Sequence, residues 1–228
     1  MEGRYPNGIM LTLATCRNRA HLDEWLHWYA HIHTPDVTSA GVFVNMIRFR
    51  NTNPNHQGRE YVNLSETYFD DPVEALEELK RRRAPFRSDD RQSPYTEVAP
   101  GGGPYRREGG EFQFVKNAPV RGVLMVATNP VDGVDSADFN RWYNDAHVPA
   151  VLGPGIFQSA YRYRSATSDG SGPSYLAIFE THREDIAAAA AENQAAVVAL
   201  GTDDGADDVR EVLWWLTAER IFPLEGRA

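Results

Sequence analysis

Two stretches of the chain decide its fold: Trp28-Tyr29-Ala30-His31-Ile32-His33-Thr34-Pro35 and Trp142-Tyr143-Asn144-Asp145-Ala146-His147-Val148-Pro149. Both read Trp-Tyr-x-x-x-His-x-Pro, and they lie 114 positions apart. The same shift continues without a gap from residues 28–50 to residues 142–164, where nine of 23 positions are identical. Unrelated segments of such a composition would share about one or two positions. We therefore predict that the chain duplicates one α+β unit in tandem.

Each copy has the pattern strand, helix, strand, strand, helix and final strand, which is the order of a ferredoxin-like β-α-β-β-α-β unit. The predicted strands are residues 9–15, 42–50, 61–68 and 111–116 in the first copy, and 123–128, 157–164, 175–181 and 209–222 in the second. The predicted helices are residues 22–33 and 72–83, the matching helix that ends near His147, and residues 186–200. The two domains are accordingly residues 1–118 and 119–228.

Prolines and glycines set the expected breaks between these elements. Pro35 and Pro149 cannot continue a helix, so each first helix is expected to end close to His33 or His147. Residues 84–110 contain Gly101-Gly102-Gly103, several prolines and many charges, with no period of 2 or 3.6. This composition predicts a long loop or a lid rather than a further domain.

The bulk composition limits the class of partner. The net charge of -9 and the pI of about 5.3 argue against a nucleic acid or an acidic membrane, because most of the surface would repel phosphates. Cys16 is the only cysteine, which excludes an internal disulfide and a thiolate-rich metal site and fits a reducing compartment. We expect a cytoplasmic protein with a small-molecule partner.

The shared signature, the turn Pro154-Gly155-Ile156-Phe157 and the strand Tyr161-Arg162-Tyr163-Arg164 make the second copy resemble the EthD-like branch of the dimeric α+β barrel superfamily. The resemblance implies ferredoxin-like units that pack sheet to sheet as a barrel with helices outside. In this chain the barrel would be intramolecular, a pseudo-dimer within one polypeptide, and further homodimerisation is left open. A sheet covered by helices on one face also needs a partner for its other face.

His33 and His147 are the candidate catalytic residues. They recur at equivalent places, and imidazole titrates near neutral pH, which suits a proton donor or acceptor. The alternative is structural, because a histidine in the last turn of a helix interacts favourably with the helix dipole. The second copy follows the family pattern more closely, so His147 is preferred.

Arginines in the second strands are candidate substrate ligands. Arg48 and Arg162 each lie two positions before another arginine, so both members of a pair point to one face. If that face looks into the barrel, the guanidinium groups hold a substrate carboxylate or enolate. If it lies at an exposed strand end, they are solvated or paired with Glu66 and Glu180, and this second interpretation is preferred.

The remaining candidate binding residues are Tyr61, Tyr175, Asn63, Trp28 and Trp142. The two tyrosines and the asparagine alternate with apolar neighbours, so we expect the apolar face to pack on helices and the polar face to turn inward. Such a cavity would suit a polar aromatic or polyketide-like ligand. Packing of these aromatic side chains in the core is the alternative.

The resemblance and these residues predict a cofactor-independent enzyme. It would act on an aromatic, polyketide-like or lactone substrate by proton transfer, as an isomerase, cyclase, dehydratase or lyase. The alternatives are a cofactor-free monooxygenase that forms quinones and a non-catalytic ligand-binding or stress-response α+β barrel. His27, His31 and His33 have metal-like spacing, but the second copy does not keep it, so no metal is predicted. A haem is disfavoured because no histidine is clearly placed as an axial ligand.

Overall fold

A computed structural model describes residues 1–84, 88, 91–113, 119–167, 172–200 and 206–223. The first half contains β1 (Gly8–Cys16), α1 (Leu22–Trp28), a π-helical turn (Tyr29–His33), α2 (Thr34–Thr38), β2 (Asn45–Asn51), β3 (Tyr61–Thr67) and α3 (Pro72–Arg83). A connecting segment carries β4 (Thr96–Val98), β5 (Gly103–Arg107) and β6 (Phe112–Gln113).

The second half repeats the order of the first. It contains β7 (Gly122–Pro130), α4 (Ser136–Trp142), a π-helical turn (Tyr143–His147), α5 (Val148–Leu152), β8 (Ser159–Ser165), β9 (Tyr175–Thr181), α6 (Ile186–Ala199), α7 (Ala206–Val209) and β10 (Arg210–Phe222). From β7 to β9, each element lies 114 positions after its counterpart in the first half, and α6 begins 114 positions after α3. The predicted second helices at 72–83 and 186–200 are confirmed, to within one residue.

The described strands form one large antiparallel sheet, so the protein has a mixed α+β fold. Its strand order is β3-β2-β10-β7-β9-β8-β5-β1-β4, and β1 also pairs with β3. The expected arrangement of two separate sheets packed face to face is not confirmed, because the strands of both halves belong to this one sheet. Hydrogen bonds between β2 and β10 and between β5 and β8 join the halves edge to edge. The physical reason is that an unpaired strand edge leaves backbone groups without partners.

The apolar face of the sheet is buried in the centre of the protein and the other face packs against the helices, which is the reverse of the prediction. Apolar side chains of both halves, among them Leu11, Val62 and Leu176, belong to one central buried cluster. Tyr61 and Tyr175 lie instead in the two clusters that pack against helices. Alternation correctly separates two faces, but it does not say which face meets which neighbour. The expected inward-facing polar cavity is therefore wrong.

The first helices continue past the histidines at which we expected them to end. A π-helical turn carries the chain through His33 or His147, and Pro35 or Pro149 then occupies the first turn of α2 or α5. Proline is tolerated in a first turn because the nitrogen there needs no helical hydrogen bond. In a π-helical turn each hydrogen bond spans five residues instead of four, and the positions of the prolines in the sequence do not indicate such a turn.

The predicted loop 84–110 contains two strands, although residues 85–87 and 89–90 lie outside the described residues. β5 pairs with both β1 and β8 and so connects the halves. Gly102 lets the chain approach this closely, because a Cβ atom there would lie 2.6 Å from the Leu11 carbonyl oxygen. Within the predicted strand 111–116 the structure shows β6 (Phe112–Gln113), and residues 114–116 lie outside the described part of the chain.

Glu66 and Glu180 bind the start of the chain. The Met1 ammonium lies 3.4 Å from Glu66 and 2.8 Å from Glu180, and both carboxylates are buried. Arg4 Nε donates to Glu66 at 2.9 Å. The predicted pairing of these glutamates with the strand arginines is wrong, because the arginines point to the other face.

Within the described ranges, the helices are too short or too polar to cross a membrane.

Candidate functional site

The Trp-Tyr-x-x-x-His motif builds the same ring cluster in both halves. The His33 ring stacks on Trp28 at 4.9 Å and 30°, and the His147 ring stacks on Trp142 at 5.0 Å and 25°. The π-helical turn makes this possible, because it brings the histidine, five positions after the tryptophan, back over the indole. The same histidine contacts the intervening tyrosine edge to face.

An arginine from the second strand lies beneath each ring cluster. The Arg48 guanidinium lies 4.0 Å from the Tyr29 ring centroid, and the Arg162 guanidinium lies 4.1 Å from that of Tyr143. Both arginine side chains are 2% exposed, so neither is solvated as we preferred from the sequence. Cation–π contacts of desolvated guanidinium groups each contribute about 2 kcal/mol.

Arg48 has few hydrogen-bond partners for a buried cation. Its Nε donates to Asn63 Oδ1 at 2.8 Å, and its Nη2 has no acceptor among the residues that the structure describes. Burial lowers the pKa of Arg48 to about 10. Asn63 therefore serves the arginine and does not line a cavity inside the sheet.

Arg162 is better satisfied. Its Nη1 donates to Asn144 Oδ1 at 2.6 Å and its Nη2 donates to Asn140 Oδ1 at 2.8 Å, which ties β8 directly to α4 and the π-helical turn. Burial also lowers the pKa of Arg162. Asn140 Nδ2 contacts the Tyr175 hydroxyl at 3.4 Å. Sequence reasoning missed both asparagines, although their four-residue spacing on one helix face is a signal.

His147 is closed in by a residue from the last strand. Arg210 Nη1 lies 2.8 Å from His147 Nε2, and the Arg210 guanidinium lies 6.0 Å from the Trp142 ring centroid. His147 itself is 8% exposed. The sequence prediction did not include Arg210, because no local pattern connects it to a histidine 63 positions earlier.

His33 lies in a cationic environment. Burial, followed by the charges of Arg83 and Arg48, lowers the pKa of His33 to about 4, against the opposing effect of Asp36. The imidazole is therefore neutral at pH 7. The pKa of Asp36 is also lowered, chiefly by the hydrogen bond from Arg91, so Asp36 is ionised.

A cavity of about 550 Å³ opens beside His33, and we call it the arginine cavity. Its lining residues are Asp36, Ser39, Ala40, Arg82, Arg83, Ser88, Arg91 and Gln92. Trp28 Nε1 donates to the Arg91 carbonyl oxygen at 3.0 Å, so the ring cluster supports one wall. The corresponding positions 114 residues later carry no such charges, since Ala150, Ala196 and Val197 replace Asp36, Arg82 and Arg83.

A second cavity of about 310 Å³ lies between residues 51–59 and the start of β10. It is lined mainly by amide side chains and by Trp214 and Trp215. None of the residues predicted from the sequence as catalytic or substrate-binding lines either of these two cavities. Of those residues, His33 and Trp28 lie next to the arginine cavity, and the others are packed between sheet and helices.

Comparisons with known proteins identify the fold. No family model and no curated protein matches the sequence. A chlorite dismutase from Candidatus Nitrospira defluvii is similar in structure, with a TM-score of 0.62, 9% identity and coverage of 96% of this chain and 92% of that one.

Two other solved structures are similar to the same degree. A haem-binding protein from Thermus thermophilus gives a TM-score of 0.58 at 9% identity, covering 96% of this chain and 95% of that one. A dye-decolorizing peroxidase from Bacteroides thetaiotaomicron gives 0.59 at 8% identity, covering 96% and 94%. At such identities the likeness concerns the fold alone.

These neighbours overturn the family and function predicted from the sequence. The chain has the fold of chlorite dismutases and dye-decolorizing peroxidases, so the identification as an EthD-like fused tandem repeat is wrong. The prediction of a cofactor-independent isomerase or lyase, with its two alternatives, is wrong as well, because it rested on that resemblance and the similar structures are haem-type proteins. Three short motifs carried the resemblance, and the first of them builds a local ring cluster rather than identifying a family.

The residues that the structure describes do not form a site that fits a haem. A haem needs an axial ligand such as histidine and a space of several hundred Å³. His147 Nε2 is occupied by Arg210, and Arg162 spans the layer between sheet and helix through Asn140 and Asn144. The described lining of the arginine cavity includes no histidine, cysteine, methionine or tyrosine.

Proposed function

We propose that this protein binds a small organic anion, carrying a carboxylate or phosphate group, in the arginine cavity. The single observation that supports this most is the convergence of Arg82, Arg83 and Arg91 on one cavity of about 550 Å³. Small-molecule sites typically have volumes of about 300–1,000 Å³. The proposal retains the small-molecule partner expected from the sequence, but it places this partner in the arginine cavity rather than inside the sheet.

The charge of the cavity contrasts with that of the whole chain. The protein carries a net charge of -9, whereas the lining of the cavity holds three guanidinium groups and one carboxylate. A concave cationic surface on an acidic protein concentrates anions locally and discriminates by charge. Arginine suits this role because its planar donors match carboxylate and phosphate oxygens.

Asp36 holds Arg83 and Arg91 in place for such a ligand. Arg91 Nε donates to Asp36 Oδ2 at 3.0 Å, and Arg83 Nη2 lies 3.9 Å from the same oxygen. Arg82 Nη1 donates to the Ala40 carbonyl oxygen at 2.8 Å. We assign the ligand to the side of the three guanidinium groups that lines the cavity.

The neutral His33 adds to the proposal, as the one sequence-predicted histidine beside the cavity. A neutral imidazole adds no positive charge and accepts a hydrogen bond from a ligand acid or hydroxyl group. Trp28 orients it by ring stacking. The corresponding His147 is engaged by Arg210 at its Nε2 atom.

Binding of malonate and inorganic phosphate tests the proposal. Calorimetry and thermal shift at low ionic strength should show saturable binding, because exposed charges are screened at higher salt. Arg83→Gln and Arg91→Gln should each weaken it by roughly tenfold or more, since charge-assisted hydrogen bonds contribute about 1.5–3 kcal/mol. Arg81→Gln is the matched control, because Arg81 lies on the same helix, is 74% exposed and does not line the cavity.

Two results would contradict the proposal. One is the absence of saturable binding of either anion to the wild-type protein at low salt. The other is equal weakening by Arg81→Gln and by the cavity variants, which would indicate a general charge effect.

We also propose the finer description of the fold, in which residues 1–118 and 119–228 are two ferredoxin-like units packed as an intramolecular α+β barrel. The shared spacing of the elements and the additional β1–β3 pairing support it.

We also propose a cytoplasmic location, which is supported by the single buried thiol of Cys16. Fractionation of the source cells, with the protein absent from the soluble cytoplasmic fraction, would contradict that location.

A further inference from the structure

In the part of the chain that the structure describes, each layer in which a haem could be inserted is bridged or filled by side chains. The fold has three such layers. One is the central apolar cluster on the inner face of the sheet, and the other two lie between the sheet and the helices, one in each half. The central layer is occupied by the large apolar cluster that includes Leu11, Tyr163 and Met125, each at most 2% exposed. A macrocycle there would have to displace a close-packed core, which costs several kcal/mol even for a single large side chain.

The layer of the second half is closed by polar bridges in addition to apolar packing. Phe139, Tyr143 and Phe179 fill it, each at most 1% exposed. Arg162 crosses it from β8 to the helix through its two asparagine contacts at 2.6 and 2.8 Å. These hydrogen bonds bridge the space between β8 and the helix, so a planar group inserted there would have to displace them.

His147 is a histidine of that layer, and Arg210 engages its Nε2 atom. Arg210 Nη1 lies 2.8 Å from Nε2, and a guanidinium can only donate, so Nε2 must present its lone pair to Arg210. The same lone pair would have to ligate an iron. Its ring is also held between Trp142 and Tyr143.

The first half is closed by a related arrangement. Trp25, Tyr29 and Tyr61 surround the Arg48 guanidinium at 4.0–6.0 Å from their ring centroids. The Cys16 thiol, another potential iron ligand, is buried and donates to the Asn18 carbonyl oxygen at 3.1 Å. The cationic group at the centre of this layer makes it unsuitable for a mostly apolar macrocycle.

From these observations we infer that this protein is a haem-free representative of a fold shared with haem proteins, and that the Arg210–His147 contact and the Arg162 bridge close the layer of its second half. The inference is independent of the proposed anion site. It assigns Arg210 as a positioning residue that holds His147 as the tautomer protonated at Nδ1.

Titration of the purified full-length chain with haemin, followed by absorption spectroscopy, tests the first part. We expect no Soret band that saturates at one haem per chain, and only the weak, unsaturated change of surface association. A Soret band that saturates at one equivalent would overturn the inference, whichever residue provides the ligand.

Nitrogen NMR of the imidazole rings tests the second part without any haem. His147 Nε2 should give the shift of an unprotonated hydrogen-bond acceptor, and Arg210→Gln should move it by several ppm. Arg183→Gln is the control, because Arg183 is an exposed arginine paired with Glu192. A protonated Nε2 in the wild-type protein, or an equal response to both variants, would overturn the assignment.

Discussion

His33 and His147 have the same ring neighbours but different charged neighbours, and the difference separates a candidate site from a packed core. Each histidine stacks on a tryptophan and lies near a buried arginine in its own half. At His147 the additional residue is Arg210, which engages the ring nitrogen. At His33 the additional residues are Arg83 and Asp36, which line an open cavity. A local motif thus sets ring geometry, and residues from distant elements decide whether that geometry reaches a ligand.

Truncating the large aromatic residue of each helix should have the largest effect and shows whether the halves share one core. Trp25 and Phe139 occupy equivalent positions, and both are fully buried. We expect Trp25→Ala and Phe139→Ala each to lower the free energy of unfolding by about 3–5 kcal/mol, because both leave a cavity. Urea unfolding measures this. Two separate transitions, or a cost below about 1 kcal/mol for one variant, would contradict equal packing of the halves.

Replacing the buried arginines by methionine should change the stability of the protein by different amounts in the two halves. Arg162→Met loses two charge-assisted hydrogen bonds, and it removes the donor to the Oδ1 atoms of Asn140 and Asn144, so we expect a loss of about 2–4 kcal/mol. Arg48→Met loses one such bond and removes the desolvation cost of a poorly satisfied charge, so we expect a change within about 1 kcal/mol of zero. The midpoint of urea unfolding reports both. A larger loss for Arg48→Met would reverse the comparison.

The pH dependence of stability should reveal the environment of His33. Its folded pKa of about 4 lies below the unfolded value of about 6.5, so the unfolded chain binds more protons between those values. The contribution of His33 to the free energy of unfolding is fully present above pH 6.5, and it is lost as the pH falls towards 4. Between pH 7 and pH 4.5, wild type should lose about 2 kcal/mol more than His33→Gln. Parallel losses in the two proteins would mean that His33 has an ordinary pKa.

The smallest effects are expected at the exposed arginines that follow the buried ones. Arg50 pairs with Glu219, and Arg164 Nε lies 3.4 Å from Glu108, with both arginine side chains more than half exposed. Exposed ion pairs contribute about 0–1 kcal/mol, so Arg50→Ala and Arg164→Ala should each shift stability by less than about 1 kcal/mol. A larger loss for Arg50→Ala, seen as a lower Tm, would show that the β2–β10 seam depends on that ion pair.

The sequence allowed correct prediction of the helices and strands whose patterns are local. The second helices follow from long helix-favouring runs, and the strands from alternation at 61–68 and 175–181. The direction of each face could not be predicted, because Asn63 and Val62 alternate in the same way whichever side is buried. β5 has only five residues, which are too few to show a period.

The candidate site was less predictable than the fold. His33 and Trp28 were found because they repeat, yet the cavity depends on Arg82, Arg83 and Arg91. These residues come from the end of α3 and from the segment after it, and in a sequence they resemble a solvated helix end. Only the packing of α3 against α2 brings them to Asp36. The contact between Arg210 and His147 could not be predicted either, because the two residues are 63 positions apart in the chain.

NMR titration of the histidine rings with malonate tests the central claim most directly, because it compares both halves in one sample. The account predicts that the His33 ring signals move saturably and that the His147 signals stay within about 0.02 ppm in proton shift, since Arg210 and the surrounding rings isolate His147 from the arginine cavity. Arg83→Gln should abolish the His33 response. Movement of His147 alone, or equal movement of both rings, would contradict the account.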